Sequence, residues 1–395
     1  MALVAAVVLV LAGAGLAIAL GGEGGGSNPD SSAGSSSTTE QADSRPAPAQ
    51  VVPVSGLSAS EQIDQVLLAG IDGSKVDEEI VEQVGEHQLG GILVESENWP
   101  DREAGVKVVD GLRETAEEAG DVPPLIVAAQ EGGRYRSLAD LPPDRTELEV
   151  GDEGSPEEVT KWASESAAAL RESGFDLNLF PVADVASLDS PLADRAFSDS
   201  TPLTTELTAA ALRGCEEEEL ACAPLHFPGL GAANQDPSQA PAGVSLDAAS
   251  LGQRDLPPFE AAFEEGAPAV VLSLAFYAAY SGTTPAALSP EVATGLLRER
   301  LGFEGVAITD DLNAGAISGS YEVGEAAVLA LKAGADLIQI SDPGDVEEAR
   351  DAIAKALERG DLRPGRLAEA VERVLELKRE LGLIEEPGGG SRSGS

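Results

Sequence analysis

The sequence predicts an α/β fold in which parallel strands close into a barrel. Short apolar runs alternate with amphipathic helical patterns from residue 90 to residue 381. Strands and helices that alternate at this spacing are typical of a parallel sheet. About seven strand–helix units can be recognised, and that number favours a closed barrel over an open sheet. The chain of 395 residues is long enough for one large barrel of this kind.

The elements follow one another in chain order, and each strand is a short, buried, apolar run. Strands are predicted at 90–94, 124–129, 175–185, 220–227, 267–276, 305–309 and 336–340. Helices are predicted at 104–119, 160–173, 204–218, 258–265, 289–301, 323–333, 346–359 and 365–381. We expect Ser289 to cap its helix. The predicted fold class is therefore α/β, a TIM-type (β/α)8-like barrel that forms a single domain over residues 54–386.

The two ends of the chain differ in composition from this central part. Residues 2–20 are continuously apolar, which suits either a secretory signal peptide or a membrane anchor over residues 1–20. Residues 21–53 are rich in Gly, Ser and Pro, and residues 387–395 are similar. We expect a flexible linker at 21–53 and a disordered tail at 387–395. The protein is thus predicted to be extracytoplasmic, either secreted or anchored to the membrane.

Composition excludes several function classes. The chain has 69 acidic and 25 basic residues, a formal net charge of -44, so nucleic-acid binding is not expected. No His, Cys or carboxylate cluster has metal-ligand spacing, and neither a metal nor a cofactor is predicted. Cys215 and Cys222 are more simply explained as two buried thiols, although a bridge between them remains open in an oxidising compartment.

Two segments about eighty residues apart point to a functional site. Gly305–Leu312 (GVAITDDL) is predicted to be a strand that ends on Asp310 and Asp311. Leu225–Gly231 (LHFPGLG) is predicted to be the end of a strand followed by a sharp turn. The carboxyl ends of parallel strands are where catalytic groups gather. Adjacent aspartates alone more often cap a helix or a loop, so it is the combination that indicates a site.

Five segments, in order along the chain, give a resemblance to a known family. They are Gln130–Arg134 (QEGGR), Phe180–Val185 (FPVADV), Asp194–Phe197 (DRAF), His226–Gly231 (HFPGLG) and Pro285–Leu312. Together they resemble the motifs of glycoside hydrolase family 3, and the branch they resemble most is the single-domain β-N-acetylhexosaminidases. The resemblance covers roughly residues 55–385 and implies a glycan substrate and a retaining mechanism with a covalent glycosyl-enzyme.

The resemblance also implies roles for individual residues. Asp310 occupies the position of the nucleophile. Arg195 and His226 match positions that bind sugar hydroxyls, although a lone histidine at a strand end can equally be structural. Arg134 and Glu131 match positions beside the substrate, where Arg134 is expected mainly to hold its loop.

Several positions depart from the family pattern. The family has an Asp-Ser-His triplet whose histidine is the general acid/base, and here Asp236 is followed by Pro237, Ser238 and Gln239. Asp236 is therefore the remnant of an acid/base dyad. Leu225 replaces a lysine and Ala129 replaces an aspartate, both of which would bind sugar.

These losses leave two functions open. The first is a glycosidase with altered acid/base catalysis, in which Asp236 or Glu131 could act as a substitute acid if burial raised its pKa. The second is a catalytically inactive barrel that binds a glycan or a protein outside the cell.

Overall fold

The computed structural model describes residues 53–385, except 77–79, 82–83, 86 and 121. The predictions of an N-terminal signal or anchor, of a C-terminal tail and of nearly all of the linker lie outside these residues. Within the described part of the chain, no helix has both the length and the apolar character needed to cross a membrane.

The strands of the described residues are short and lie at nearly regular intervals along the chain. In order they are β1 (Leu67–Gly70), β2 (Gly91–Leu93), β3 (Leu125–Ala128), β4 (Leu177–Asn178), β5 (Ala221–Cys222), β6 (Gly243–Val244), β7 (Ala269–Leu272), β8 (Phe276–Tyr277), β9 (Val306–Thr309) and β10 (Ile338–Ile340). All except β6 and β8, which pair with each other, belong to the barrel.

The barrel strands close into a ring. Six are paired in the order β10-β1-β2-β3-β4-β5, and β7 pairs with β9. Two isolated parallel bridges join these groups, Phe227 with Leu272 and Ile308 with Leu337. All pairs in the ring are parallel. The predicted TIM-type (β/α)8 barrel is therefore confirmed.

Helices connect the strands and cover the outside of the ring. They span Ala59–Asp64, Arg102–Ala119, Glu147–Gly151, Pro156–Glu172, Thr201–Glu217, Ala248–Arg254, Leu256–Glu264, Gly315–Ser318, Val323–Ala333, Val346–Arg359 and Pro364–Glu380, and Glu291–Arg300 has π-type hydrogen bonding. The eight predicted helices are confirmed to within a few residues.

Two local predictions were wrong. The first barrel strand is β1, not the run at 90–94, because a four-residue apolar strand directly after a helix carries too weak a pattern to recognise. Ser289 does not cap its helix: Pro290 stands at the cap position, and the Ser289 hydroxyl donates a hydrogen bond to Glu291 Oε2 at 2.8 Å.

The interpretation of Cys215 and Cys222 as free thiols was also wrong, because they form a disulfide. Cys215 lies in the helix Thr201–Glu217 and Cys222 in β5. Since the helices lie outside the ring, the Cys222 side chain points outward. Side chains alternate along a strand, and this disulfide therefore identifies which residues of the ring face inward.

A buried carboxylate ties β9 and β10 to the covering helices. Asp336, two residues before β10, is fully buried. Its Oδ2 accepts hydrogen bonds from Arg298 Nη2 (2.6 Å) and from the backbone N–H of Ala307 (3.0 Å). Its Oδ1 accepts from Arg366 Nη2 (2.7 Å) and Arg373 Nη1 (3.1 Å). One aspartate therefore contacts three guanidinium groups beneath the strand that carries Asp310 and offsets part of their charge.

We predict that Asp336→Asn destabilises the fold by about 3–5 kcal/mol, because it leaves buried guanidinium groups without their counter-charge. Urea unfolding measures this loss. Asp351→Asn is the control, because Asp351 forms an ion pair with Lys355 at 2.9 Å on the surface and should matter by about 0.3–0.5 kcal/mol. Equal losses in the two variants would contradict the prediction.

Candidate functional site

Asp310 lies at the carboxyl end of β9, one residue beyond Thr309. Its backbone N–H donates to the carbonyl of Leu272 at 3.0 Å, so the strand ladder with β7 continues to this residue. Its Oδ1 accepts a hydrogen bond from the N–H of Asp311 at 2.8 Å. Among the described residues the Asp310 carboxylate forms no ion pair, and the side chain is partly exposed. Asp310 therefore presents a carboxylate at the mouth of the barrel whose Oδ2 has no hydrogen-bond partner among the described residues.

Asp311 has a different environment from its neighbour. Its Oδ1 accepts from the N–H groups of Asn313 (3.1 Å) and Ser341 (3.0 Å), and its Oδ2 accepts from the Ser341 hydroxyl (2.6 Å). Asp311 thus links the loop after β9 to the end of β10. Of the two adjacent aspartates, only Asp310 has a carboxylate available to a ligand.

Asp184 organises the turn that carries His226. Asp184 is fully buried, and its Oδ2 lies 2.7 Å from His226 Nδ1. Its Oδ1 accepts a hydrogen bond from the N–H of Leu230 at 2.5 Å. A carboxylate on Nδ1 holds the imidazole in one orientation and directs Nε2 away from Asp184.

The glycines of the turn Leu225–Gly231 are required by close backbone contacts. Gly229 has φ +117°, and a Cβ there would lie 2.4 Å from the Cβ of Asp255. A Cβ on Gly231 would lie 2.0 Å from the carbonyl oxygen of Val185. The hydroxyl of Tyr277 donates to the Gly229 carbonyl at 3.0 Å. The Gly-x-Gly spacing therefore allows the turn to wrap tightly over Asp184.

Arg195 is held beside His226 by Glu131. The Nε and Nη2 atoms of Arg195 donate to Oε2 and Oε1 of Glu131 at 2.8 and 2.6 Å, a bidentate pair. Arg195 Nη2 also lies 3.4 Å from His226 Nε2. Since both carboxylate oxygens of Glu131 are engaged, Glu131 positions Arg195 and is not available as a free acid.

The charges in this network are coupled to Asp310. Burial raises the pKa of Asp310 and outweighs the opposing effects of His226, the Asp311 N–H and Arg195. Burial lowers the pKa of His226, but the charge of Asp184 and its hydrogen bond raise it more, so the pKa is raised overall. Both raised pKa values favour the protonated form of the side chain, the imidazolium of His226 and the carboxylic acid of Asp310.

Arg134 and Asp236 lie outside this network. Arg134 is 69% exposed, and its guanidinium pairs with Asp194 and donates to the Tyr135 hydroxyl. This geometry agrees with a loop-holding role. Asp236 Oδ1 accepts from the N–H of Ser238 at 2.9 Å, which shapes the turn. The turn is docked beside the site, since the Ser238 carbonyl accepts from the N–H of Gly315 at 3.0 Å.

Two buried carboxylic acids near the site were not predicted. Asp184 was part of a recognised motif but had no assigned role. Glu147 is 1% exposed, its Oε1 accepts from the N–H of Val182 at 2.8 Å, and its Oε2 has no hydrogen-bond partner among the described residues. Burial raises the pKa of Glu147 well above the usual range. No local pattern distinguishes Glu147 from the many surface glutamates of this acidic chain.

A cavity of about 530 Å³ lies elsewhere, at the amino-terminal ends of β5 and β7. Its lining includes the Cys215–Cys222 disulfide, Glu265 and Glu380. In barrels of this type the amino-terminal face contributes to stability, whereas the chemistry is at the carboxyl face. The residues around Asp310 are therefore the candidate site.

Comparison with known proteins identifies the family of this chain. Residues 58–377 match the family model of the glycosyl hydrolase family 3 N-terminal domain. This match covers most of the chain, and the chain therefore belongs to glycosyl hydrolase family 3.

Among curated relatives, a β-hexosaminidase of Xylella fastidiosa is 30% identical over 299 residues, which are 73% of this chain and 87% of that protein. A protein of Arthroderma benhamiae described as an uncharacterized secreted glycosyl hydrolase is 27% identical over 342 residues, with 84% and 97% coverage.

Solved structures are similar in the same region. The family 3 β-N-acetylglucosaminidase of Paenibacillus sp. FPU-7 is 30% identical with a TM-score of 0.78, covering 86% of this chain and 65% of that one. The β-N-acetylhexosaminidase of Beutenbergia cavernae is 28% identical with a TM-score of 0.75, covering 82% and 98%.

We predict that Asp184→Asn lowers the pKa of His226, because Asp184 supplies the charge that offsets the burial of the imidazole. The chain has two histidines, so NMR titration gives two imidazole signals, and His87→Gln assigns them. The His87 signal of Asp184→Asn is the internal control. A His226 pKa that does not fall would show that Asp184 is not its dominant partner.

We predict that Glu147 makes the fold less stable as pH rises. Its folded pKa is raised, so between the unfolded value of about 4.3 and the folded value the unfolded chain binds fewer protons than the native one. Stability is then fully present below about pH 4.3 and falls above it by up to about 1.4 kcal/mol per pH unit. Glu147→Gln removes this dependence.

Thermal unfolding from pH 4 to pH 7 measures the effect. The stability of Glu147→Gln relative to the original chain should increase steadily with pH, whereas Glu206→Gln, at an exposed helix position, should show no such trend. A pH-independent difference for Glu147→Gln would mean that Glu147 is ionised in the fold.

Proposed function

We propose that this protein is a retaining glycosidase of the β-N-acetylhexosaminidase type that acts on O-glycosides of amino sugars, in cell-wall or other glycans. The observation that carries the proposal is the Asp310 carboxylate at the carboxyl end of β9, which forms no ion pair with any residue that the structure describes and is electrostatically coupled to Arg195 and His226. Family membership and the β-hexosaminidase relatives support the substrate class.

The proposed chemistry begins at Asp310. One carboxylate oxygen attacks the anomeric carbon, a C–O bond forms, and the bond from that carbon to the leaving-group oxygen breaks, so that the leaving group departs as an oxyanion and takes a proton from solvent. Water then attacks the anomeric carbon of the glycosyl-enzyme, loses a proton to solvent and releases Asp310 as the carboxylate. Arg195 and His226 bind sugar hydroxyls, and Glu131 and Asp184 hold these two side chains in place by the contacts described above. Asp310 must be ionised to attack, so its raised pKa places the acidic limb of the pH profile above the usual range of aspartate.

Acid catalysis is the altered part of the proposed mechanism. Ser238 stands where the family has its acid/base histidine, and Asp236 remains as the remnant of the dyad within a turn. Positioned acid/base catalysis contributes about 10²–10⁴-fold to rate. We therefore expect slow hydrolysis of alkyl glycosides and faster hydrolysis when the leaving group needs no proton.

We also propose an extracytoplasmic location. The Cys215–Cys222 disulfide supports it, because disulfides persist in oxidising compartments. The description of the Arthroderma benhamiae relative as secreted supports it further.

A second candidate is a barrel that binds a glycan without hydrolysing it. The observation in its favour is the loss of three functional positions, since Ala129, Leu225 and Ser238 replace an aspartate, a lysine and a histidine of the family. Such a protein would bind amino sugars at the same mouth of the barrel.

The test is hydrolysis of aryl β-N-acetylglucosaminides whose leaving groups span a range of acidity. We predict that the original chain cleaves the dinitrophenyl glycoside and that Asp310→Asn lowers its kcat/KM by at least about 10³-fold. Mass spectrometry after incubation with a fluorinated glycosyl donor should show one sugar on the peptide that contains Asp310.

Asp236→Asn is the matched control. Because the Asp236 carboxylate shapes a turn, its variant should keep the turnover of the dinitrophenyl glycoside. If the folded original chain binds N-acetylglucosamine but neither cleaves any aryl glycoside nor becomes labelled, the binding function replaces the hydrolase.

A further inference from the structure

Glu95 is a carboxylate at the mouth of the barrel that no recognised motif includes. It follows β2 by two residues and is partly exposed. Its backbone N–H donates to Asn98 Oδ1 at 2.8 Å, and Asn98 Nδ2 donates to the carbonyls of Ile71 (2.8 Å) and Gly73 (2.7 Å). The buried Asn98 thus fixes the backbone of Glu95 against the loop after β1. Within the described residues, the Glu95 carboxylate has neither a hydrogen bond nor an ion pair.

The strand register places Glu95 beside Ala129. Leu93 of β2 is opposite Val127 of β3, and the N–H of Val94 donates to the Val127 carbonyl at 2.9 Å. The ladder ends at this bond, and its register extended by two residues puts Glu95 next to Ala129 with the two side chains on the same face. Ala129 is also partly exposed. Ala129 ends in a methyl group, so the carboxylate on this pair of neighbouring residues belongs to Glu95.

That shared face is the inside of the barrel. Cys222 points outward to its disulfide partner. It pairs with Asn178 of β4, and Asn178 pairs with Ala128 of β3, so all three side chains are on the outer face. Ala128 therefore points outward, and its neighbour Ala129 points inward. Glu95, in register with Ala129, points inward as well.

The same alternation applies to Asp310. Paired residues on neighbouring parallel strands point to the same face. Gly91 pairs with Leu68, and Leu68 pairs with Gln339. Leu337, two residues before Gln339, pairs with Ile308. Asp310 is two residues beyond Ile308, and Glu95 is four residues beyond Gly91. Both carboxylates therefore lie on the inner face at the carboxyl end of the ring.

The electrostatics agree with this placement. Burial raises the pKa of Glu95, and the negative charges of Asp311 and Glu97 raise it further. Glu95 is therefore within electrostatic range of the residue next to Asp310. A partly desolvated carboxylate without a cation or donor is costly in the empty protein, and hydroxyl groups of a ligand can offset that cost.

We propose that Glu95 is a substrate-binding residue whose carboxylate accepts hydrogen bonds from sugar hydroxyls. The carboxylate then comes from β2, whereas position 129 on β3 carries only alanine. The inference rests on the proposed function, since it assigns one contact within the same site. It predicts that a carboxylate is needed on this part of the inner face and that either of the two neighbouring strands can supply it.

The experiment measures binding of N-acetylglucosamine by calorimetry together with kcat/KM for the aryl glycosides. Glu95→Gln should weaken binding by about 10–100-fold, because it removes charge-assisted hydrogen bonds. It should lower kcat/KM by a similar factor for every leaving group. Glu97→Gln, an exposed position in the same turn, is the matched control and should stay within about twofold of the original chain.

Two further arms identify the contact. Deoxy analogues of N-acetylglucosamine should bind the original chain more weakly at one hydroxyl position, and this difference should vanish in Glu95→Gln. The double variant Glu95→Ala/Ala129→Asp should bind more tightly than Glu95→Ala alone, because it returns a carboxylate on the adjacent strand. Urea unfolding confirms that each variant is folded.

Several outcomes overturn the inference. Unchanged sugar binding in Glu95→Gln, with hydrolysis still dependent on Asp310, removes the Glu95 contact and leaves the proposed function standing. A loss of kcat/KM that grows with leaving-group basicity, with unchanged sugar binding, makes Glu95 the acid instead of a binding residue. No binding and no hydrolysis by the folded original chain removes both proposals.

Discussion

The closure of the strand ring is the constraint on which the rest of this molecule depends. Two single bridges, Phe227 with Leu272 and Ile308 with Leu337, join the six-stranded sheet to β7 and β9. Because the ring is closed and parallel, inward residues at its carboxyl end share one small space. Asp310, at the end of β9, can therefore act together with side chains that are far away in the sequence.

Charge pairing within this space follows from the cost of burying ions. Arg195 lies between Glu131 and His226, and His226 lies between Arg195 and Asp184. Each buried charge has an opposite charge or a hydrogen bond beside it, which is the condition for keeping ions out of water. Within the described residues, the carboxylates of Asp310 and Glu95 form no ion pair, and both side chains are partly exposed. Asp310 accepts one hydrogen bond, from the N–H of Asp311.

The chemistry that survives in the site is uneven. In the proposed mechanism, Asp310 is the nucleophile and Arg195 and His226 bind sugar, whereas the proton-donating histidine is replaced by Ser238. This combination is physically reasonable if the protein binds sugar and forms the covalent intermediate with substrates whose leaving groups need no proton. In the same proposal, Glu95 on β2 supplies to this space the carboxylate that Ala129 on β3 does not.

The sequence by itself determined the barrel and the motif residues, because regular strand–helix alternation and the segments HFPG and TDDL are local signals. It did not reveal β1, the disulfide, the burial of Glu147 or the partnership of Glu131 with Arg195. Most of these features depend on which distant segments become neighbours, whereas the disulfide, between residues seven apart, depends on how the helix Thr201–Glu217 packs on β5. A four-residue strand or a single glutamate carries no local pattern, and a side chain's pKa and partners are set by burial, which only the closed ring decides.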